Sequence, residues 1–177
     1  MILFSMVQKY ETQTYDLIQT LEDDIQIRYY PEAIKVRVQG PLKNNTNFRS
    51  LFQYISGNNA REEKIAMTTP VYMQNSPTEQ TMEFVLPRKY LQENPPLPTQ
   101  AGVQVYISKA GYFAAIRYNG YSNEAKEEKH TQILRDRLVK ENQQVLSKPF
   151  FLSYNAPYKF YNRRNEILIQ VAGQGIK

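Results

Sequence analysis

A carboxylate in the middle of an apolar strand is the placement in this chain with the most chemical promise. In Arg164–Val171, Ile167, Ile169 and Val171 fall on one face, and Arg164, Glu166 and Leu168 on the other. Glu166 either pairs with Arg163 or Arg164, or points into a groove where a carboxylate can serve as acid or base. A second constellation runs from Arg61 and Lys64 into Met67-Thr68-Thr69-Pro70. Met67 offers a polarisable apolar wall, and the Thr68 and Thr69 hydroxyls can donate to a carboxylate. Arg61 and Lys64 can make charge-assisted contacts with anionic groups. Plainer readings stand beside these: Met67 in the core, Pro70 at an edge or bulge, and both cations on a solvated loop.

What is missing narrows the chemistry further. The 177 residues contain no cysteine, so disulfides, thiolate metal sites, cysteine nucleophiles and covalently attached c-type haem are excluded. His130 is the single histidine and borders the apolar stripe of a helix, three and four residues before Ile133 and Leu134. A histidine metal centre or a Ser-His-Asp triad would have to be built around it alone, and no metal site is expected. The net charge of +5 comes from interspersed signs, as in Arg61-Glu62-Glu63-Lys64, and not from a basic stripe; nucleic acid is not an expected partner. No apolar run is long enough to span a membrane. The N-terminal seven apolar residues lack a basic region and a cleavage site, so they read as a leading segment of a cytoplasmic protein.

The elements that must position these residues come in two matching sets. Residues 25–40 (IQIRYYPEAIKVRVQG) and 103–120 (VQVYISKAGYFAAIRYNG) are each an alternating run, a short turn, a second alternating run and a closing glycine, Gly40 or Gly120. Each is followed by a helical stretch (44–57, with Phe48, Leu51, Phe52 and Ile55 at helical spacing; 122–142, capped by Ser122 or Asn123). Each then continues through an extended segment containing proline into a last alternating strand. Pro31-Glu32 reads as a hairpin turn that makes Ile34, Val36 and Val38 the partner of strand 25–30. A unit of about 80 residues present only twice is no solenoid. The expectation is one domain over residues 1–177, with half-repeats at 10–86 and 102–171 joined by a proline-rich surface connection. Its class is α+β: a duplicated β-β-α-β-β unit forming a distorted antiparallel β-barrel or curved sheet, with two packed helices and a pseudo-twofold axis.

Three segments then carry a resemblance. Tyr10-Glu11 and the strand 25–31, the run Phe48–Asn59 with Ile65–Val71 (IAMTTPV), and Tyr154–Pro157 followed by Arg163–Ile169 resemble the SOUL haem-binding family. The resemblance covers about residues 10–171. It implies a duplicated barrel similar to the effector-binding domains of gyrase-inhibitor-like regulators, in which small molecules sit in a groove near the pseudo-twofold axis. It also implies haem or a related tetrapyrrole as a non-covalent ligand, with Arg61 and Lys64 facing the propionates. In related effector-binding folds a glutamate near the last strand meets cationic ligands, which is a further role for Glu166.

The functional expectation is therefore a binding protein and not an enzyme. It takes haem, another tetrapyrrole or a small flat ligand reversibly in an apolar groove, using Arg61, Lys64, Met67, Thr68, Thr69, Pro70 and Glu166. The alternatives are a generic effector-binding module that does not use haem, and a gyrase-inhibitor-like hydrolase with Glu166 as acid or base. The 14 tyrosines can stack on a flat ligand or simply furnish half-exposed strands.

Overall fold

Period-two alternation builds nearly every strand and decides what each face becomes. The computed structural model describes residues 10–41, 45–155 and 162–173. The expectations for the N-terminal segment, the start of the first helical stretch at residue 44 and the Ala156-Pro157 part of the closing motif lie outside them. In chain order the strands are β1 (Glu11–Thr12), β2 (Asp16–Thr20), β3 (Gln26–Tyr30), β4 (Ala33–Pro41), β5 (Thr68–Thr69), β6 (Val71–Asn75) and β7 (Glu79–Val85). After them come β8 (Gln104–Ser108), β9 (Gly111–Asn119), β10 (Phe150–Ser153) and β11 (Arg164–Val171); the helices are α1 (Thr46–Ile55) and α2 (Glu124–Lys140). The class is α+β, as expected from the sequence.

Nine strands form one curled antiparallel sheet in the order β2-β3-β9-β11-β10-β6-β7-β4-β8. Setting β2 aside, the order is unchanged when β3 exchanges with β8, β4 with β9, β6 with β10 and β7 with β11. The pseudo-twofold axis thus passes between β6 and β10, where Leu152 stands opposite Tyr72. α1 and α2 fall in equivalent places, α1 on β4 and β7, α2 on β9 and β11.

The expected hairpins are not hairpins. β3 pairs with β9, and β4 pairs with β7 and β8. Ile34, Val36 and Val38 are therefore not the partners of strand 25–30. The short links at Pro31-Glu32 and Lys109-Ala110 carry the chain between the two ends of the sheet, which its curl brings close together. A two-residue link looks the same in sequence whether it closes a ladder or crosses a gap. Pro70 likewise lies at no edge of the main sheet. It follows a cis peptide bond, after which β6 enters the middle of the sheet, while β5 pairs in parallel with β1 outside it.

Odd and even positions of the strands feed different cores. Toward the helices, Ile34, Val36, Val38 and Phe84 pack on Leu51, Tyr54 and Ile55 of α1. Ile27, Ala114, Ile116, Ile167 and Ile169 pack on Leu134 and Leu138 of α2. On the opposite face a third cluster gathers Tyr30, Tyr72, Val85, Leu152 and Leu168, with Tyr15, Phe113, Phe150 and Tyr154 against it. α2 begins on the Asn123 side chain, which accepts from the Lys126 N–H at 3.0 Å. Of the helical stripe expected in α1, Leu51 and Ile55 are buried, whereas Phe48 and Phe52 stack on each other at the surface and Tyr54 takes the core position. The two closing glycines have different reasons. Gly120 needs its positive φ, whereas a Cβ at Gly40 would overlap the buried Asn47 amide. No helix among the described residues is long and apolar enough to cross a membrane.

Candidate ligand-binding site

The inner face of the sheet, away from the helices, holds two buried carboxylates related by the pseudo-twofold axis. Glu83 stands opposite Arg37 and Glu166 opposite Arg117, and each arginine lies three residues before its closing glycine. Strand alternation puts both carboxylates on the face opposite Phe84 and Ile167.

Glu166 is fully enclosed and fully engaged. Its Oε2 accepts from Arg28 Nη1 at 2.7 Å and from the Tyr154 hydroxyl at 2.8 Å. Its Oε1 accepts from Arg28 Nη2 at 3.0 Å and from Arg164 Nη2 and Nε at 2.8 and 3.1 Å. Burial pushes the carboxyl up, but the Arg28 and Arg164 guanidiniums outweigh it and hold it below the usual carboxylate range. Arg28 also donates to Tyr30 and Gln26 and lies over the Tyr15 ring. With every carboxylate lone pair directed at a donor, this arrangement is an internal ion triad with no lone pair left to accept a substrate proton.

Glu83 has lighter company. Its Oε2 accepts from Lys35 Nζ at 3.1 Å and its Oε1 from the Tyr106 hydroxyl at 2.7 Å. Lys35 Nζ also rests 3.5 Å from the centroid of the Tyr72 ring. Burial outweighs Glu83 and lowers the Lys35 ammonium below the usual lysine range, and burial raises Tyr106 so that its phenol stays protonated and donates. These groups line a cavity of about 330 Å³ whose other walls include Tyr30, Phe113 and Phe150, with Ser108 and Lys109 at the crossing link. A neighbouring cleft of about 470 Å³ lies against Glu11–Thr14, Ala33–Ile34, Val85–Leu86 and Arg88, and shares Gln13 and Pro31 with the first. Gln13 joins the two, accepting from the Tyr72 hydroxyl at 2.6 Å.

The residues singled out from sequence are dispersed around this site. Thr68 donates to the Val85 carbonyl, and Thr69 shares a hydrogen bond with Thr12; both stand behind the wall of the larger cleft. Met67 packs against the α1-side core, and Pro70 is buried. Arg61 donates to the Asn94 carbonyl at 2.7 Å and pairs with Glu63, while Lys64 is exposed. Glu166 faces inward, on the other side of the sheet from Ile167, but lines neither cavity. His130 stacks on Tyr118 on the α2 side of the sheet, its Nδ1 2.7 Å from the Lys126 carbonyl. Among the described residues no cluster of His, Asp and Glu has the makings of a metal site.

Sequence reading missed Arg28, Lys35, Glu83 and Tyr106. Each sits at a strand position that alternation assigns to the face away from the helices. Such a face looks like solvent until the curl of the sheet encloses it. The signal available was the duplication: the offset of 80 residues that lays Gly40 on Gly120 also lays Arg37 on Arg117, and the last strands of the halves, three residues further out of step, set Glu83 and Glu166 opposite those arginines.

The SOUL heme-binding protein family model matches residues 10–170. The chain belongs to this family. Among relatives, heme-binding protein 2 of Homo sapiens is 30% identical over 164 residues, covering 79% of this chain and 79% of its own. Heme-binding protein 1 of Xenopus tropicalis is 28% identical over 124 residues, or 66% of this chain, and the match spans 65% of that relative's length. Among solved structures, the C-terminal domain of EcmrR aligns over 83% of this chain and 96% of its own with a TM-score of 0.60 at 10% identity, a likeness of fold alone. The family's name points to binding, and the saturated Glu166 is consistent with it.

Proposed function

We propose that this protein binds haem or a related tetrapyrrole reversibly and without covalent attachment, in the inner groove of its curled sheet. The observation that carries the reading is the groove itself: aromatic walls from Tyr30, Tyr72, Phe113 and Phe150 beside the cationic Lys35 and Lys109. Aromatic walls suit a flat macrocycle, and lysines suit its carboxylates. At about 330 Å³ the cavity sits at the small end of ordinary ligand sites (~300–1,000 Å³), so the macrocycle enters by one edge and stays partly exposed. The groove residues fit such a group as walls and anion partners. They include no histidine, and burial keeps the Tyr30 phenol protonated, pushed up to about 12. Affinity then rests on burial and carboxylate contacts and not on a strong protein ligand to iron.

Haem titration followed in the Soret band tests this. Phe113→Ala with Phe150→Ala should weaken binding by about tenfold, the worth of a lost aromatic contact or two (~0.5–1.5 kcal/mol each). His130→Ala should leave binding intact. If binding is lost in an Arg61→Ala/Lys64→Ala variant while the groove variants bind normally, the site lies on the outer loop and the groove assignment is wrong. No binding by wild type at roughly tens of micromolar haem, about the weakest affinity this groove should give, would favour a different small flat ligand.

A further inference from the structure

The two pseudo-equivalent carboxylates differ in the groups that hold them. Glu166 is held by two guanidiniums, which stay charged and are not nucleophiles. Glu83 is held by a primary amine. Lys35 stands on β4 where the second half has Ala115, and its side chain is 8% exposed while lining a cavity walled by aromatic rings. An amine in such surroundings, with a carboxylate at 3.1 Å and a phenol bonded to that carboxylate at 2.7 Å, has the parts needed for carbonyl chemistry.

We propose that Lys35 is a nucleophilic lysine that captures flat, unsaturated or aromatic aldehydes and ketones in the inner groove as an imine. The step balances within the site. The Lys35 ammonium passes one proton to the Glu83 carboxylate, and the free amine attacks the carbonyl carbon. A carbon–nitrogen bond forms, and a proton moves from nitrogen to the carbonyl oxygen, giving a carbinolamine. Glu83 returns its proton to the hydroxyl, water leaves, and the product is a protonated imine beside a Glu83 carboxylate. One buried ion pair replaces another, so the groove gains no net charge. Tyr106 holds Glu83 in place through its other oxygen and is a positioning residue. The charged and titratable groups facing Lys35 are Glu83 from β7, Tyr72 from β6 and Tyr106 from β8, with Lys109 at the cavity rim.

Burial outweighs Glu83 in lowering the Lys35 ammonium, which raises the fraction of free amine at neutral pH. A bicyclic aromatic aldehyde such as 2-naphthaldehyde fits the chemistry of the walls. The inference shares Lys35 and the groove with the haem reading, but its readout is a covalent adduct and its failure is distinguishable from a failure of haem binding.

The test is reductive trapping. Intact wild-type protein is incubated at pH 7 with 2-naphthaldehyde and cyanoborohydride, and the adducts are located by peptide mapping. Lys35 should be labelled several-fold faster than the exposed Lys64 and Lys129, because its cavity gathers the aromatic aldehyde and Glu83 stands within proton-transfer distance of its amine. Lys35→Arg should remove that fast adduct, Lys109→Arg should keep it, and Glu83→Gln should slow it. Labelling of Lys35 no faster than of the exposed lysines overturns the proposal. The comparison lies within one wild-type sample, so it decides the matter even if Lys35→Arg folds poorly.

Discussion

Replacing Glu166 by glutamine keeps its shape and removes its charge. Arg28, whose side chain is 4% exposed, and Arg164, 31% exposed, then face each other with no anion between them. Breaking a buried pair by removing one partner costs ~3–5 kcal/mol, and here one deletion strands two cations. Arg28→Met is milder, because Glu166 keeps Arg164 and Tyr154 and the cluster becomes neutral. Arg164→Met is milder again, at ~1 kcal/mol, since its guanidinium is partly in water. The expected order of loss is Glu166→Gln, then Arg28→Met, then Arg164→Met. At this chain length the first should lower Tm by roughly 10 °C. Arg28→Met combined with Glu166→Leu should recover much of the loss, because the remaining charge, on Arg164, is partly in water. Urea denaturation at pH 7 measures all of these. The pH dependence has a definite sign. The folded-state carboxyl lies below its unfolded value, so its contribution is present above the ordinary glutamate range and fades as pH falls through it toward the folded value. Wild type should lose stability across that acidic window, and Glu166→Gln should lose less there. A cost under ~1 kcal/mol for Glu166→Gln, or a greater loss for Arg28→Met, would refute the triad argument.

Two further expectations concern local structure. Asn123→Ala removes the cap on α2 and should cost ~1 kcal/mol by thermal or chemical denaturation, while Ser122→Ala should cost less. Asn59→Ala should cost ~1–3 kcal/mol, because the buried Asn59 amide donates to the Tyr54 and Glu63 carbonyls and accepts from the Arg61 and Glu63 N–H groups. Hydrogen exchange should rise in residues 59–63 in that variant.

The fold was legible because alternation and turns are local. Ile167 and Ile169 on one face with Glu166 on the other follows from period two and nothing else. The helix bounds followed from apolar spacing, the Asn123 cap and Gly57 with its positive φ. Strand partnership was not legible, because Pro31-Glu32 specifies a change of direction and not the strand that receives it. The groove was hidden for the same reason. Lys35 and Arg37 alternate with Ile34, Val36 and Val38 as any solvent face would, yet Lys35 is buried and Arg37 exposed. Arg28 and Glu166, 138 positions apart, meet only because β3 and β11 both flank β9. For Glu166, pairing with Arg164 was foreseen; the deeper partner was not.

Each half lends its first strand to the other: β3 lies on β9, and β8 lies on β4. This is the reciprocal exchange of a swapped dimer, carried out inside one chain. Neither half can open alone without exposing a raw ladder in its neighbour, so unfolding is a single event for both. Folding must likewise wait until both halves exist, because β8, which seals the first half, belongs to the second, and such distant pairings form slowly. Cut at the proline-rich crossing, the two pieces would each display an unpaired edge whose natural complement is the other piece. The groove that both halves line can exist only in their union.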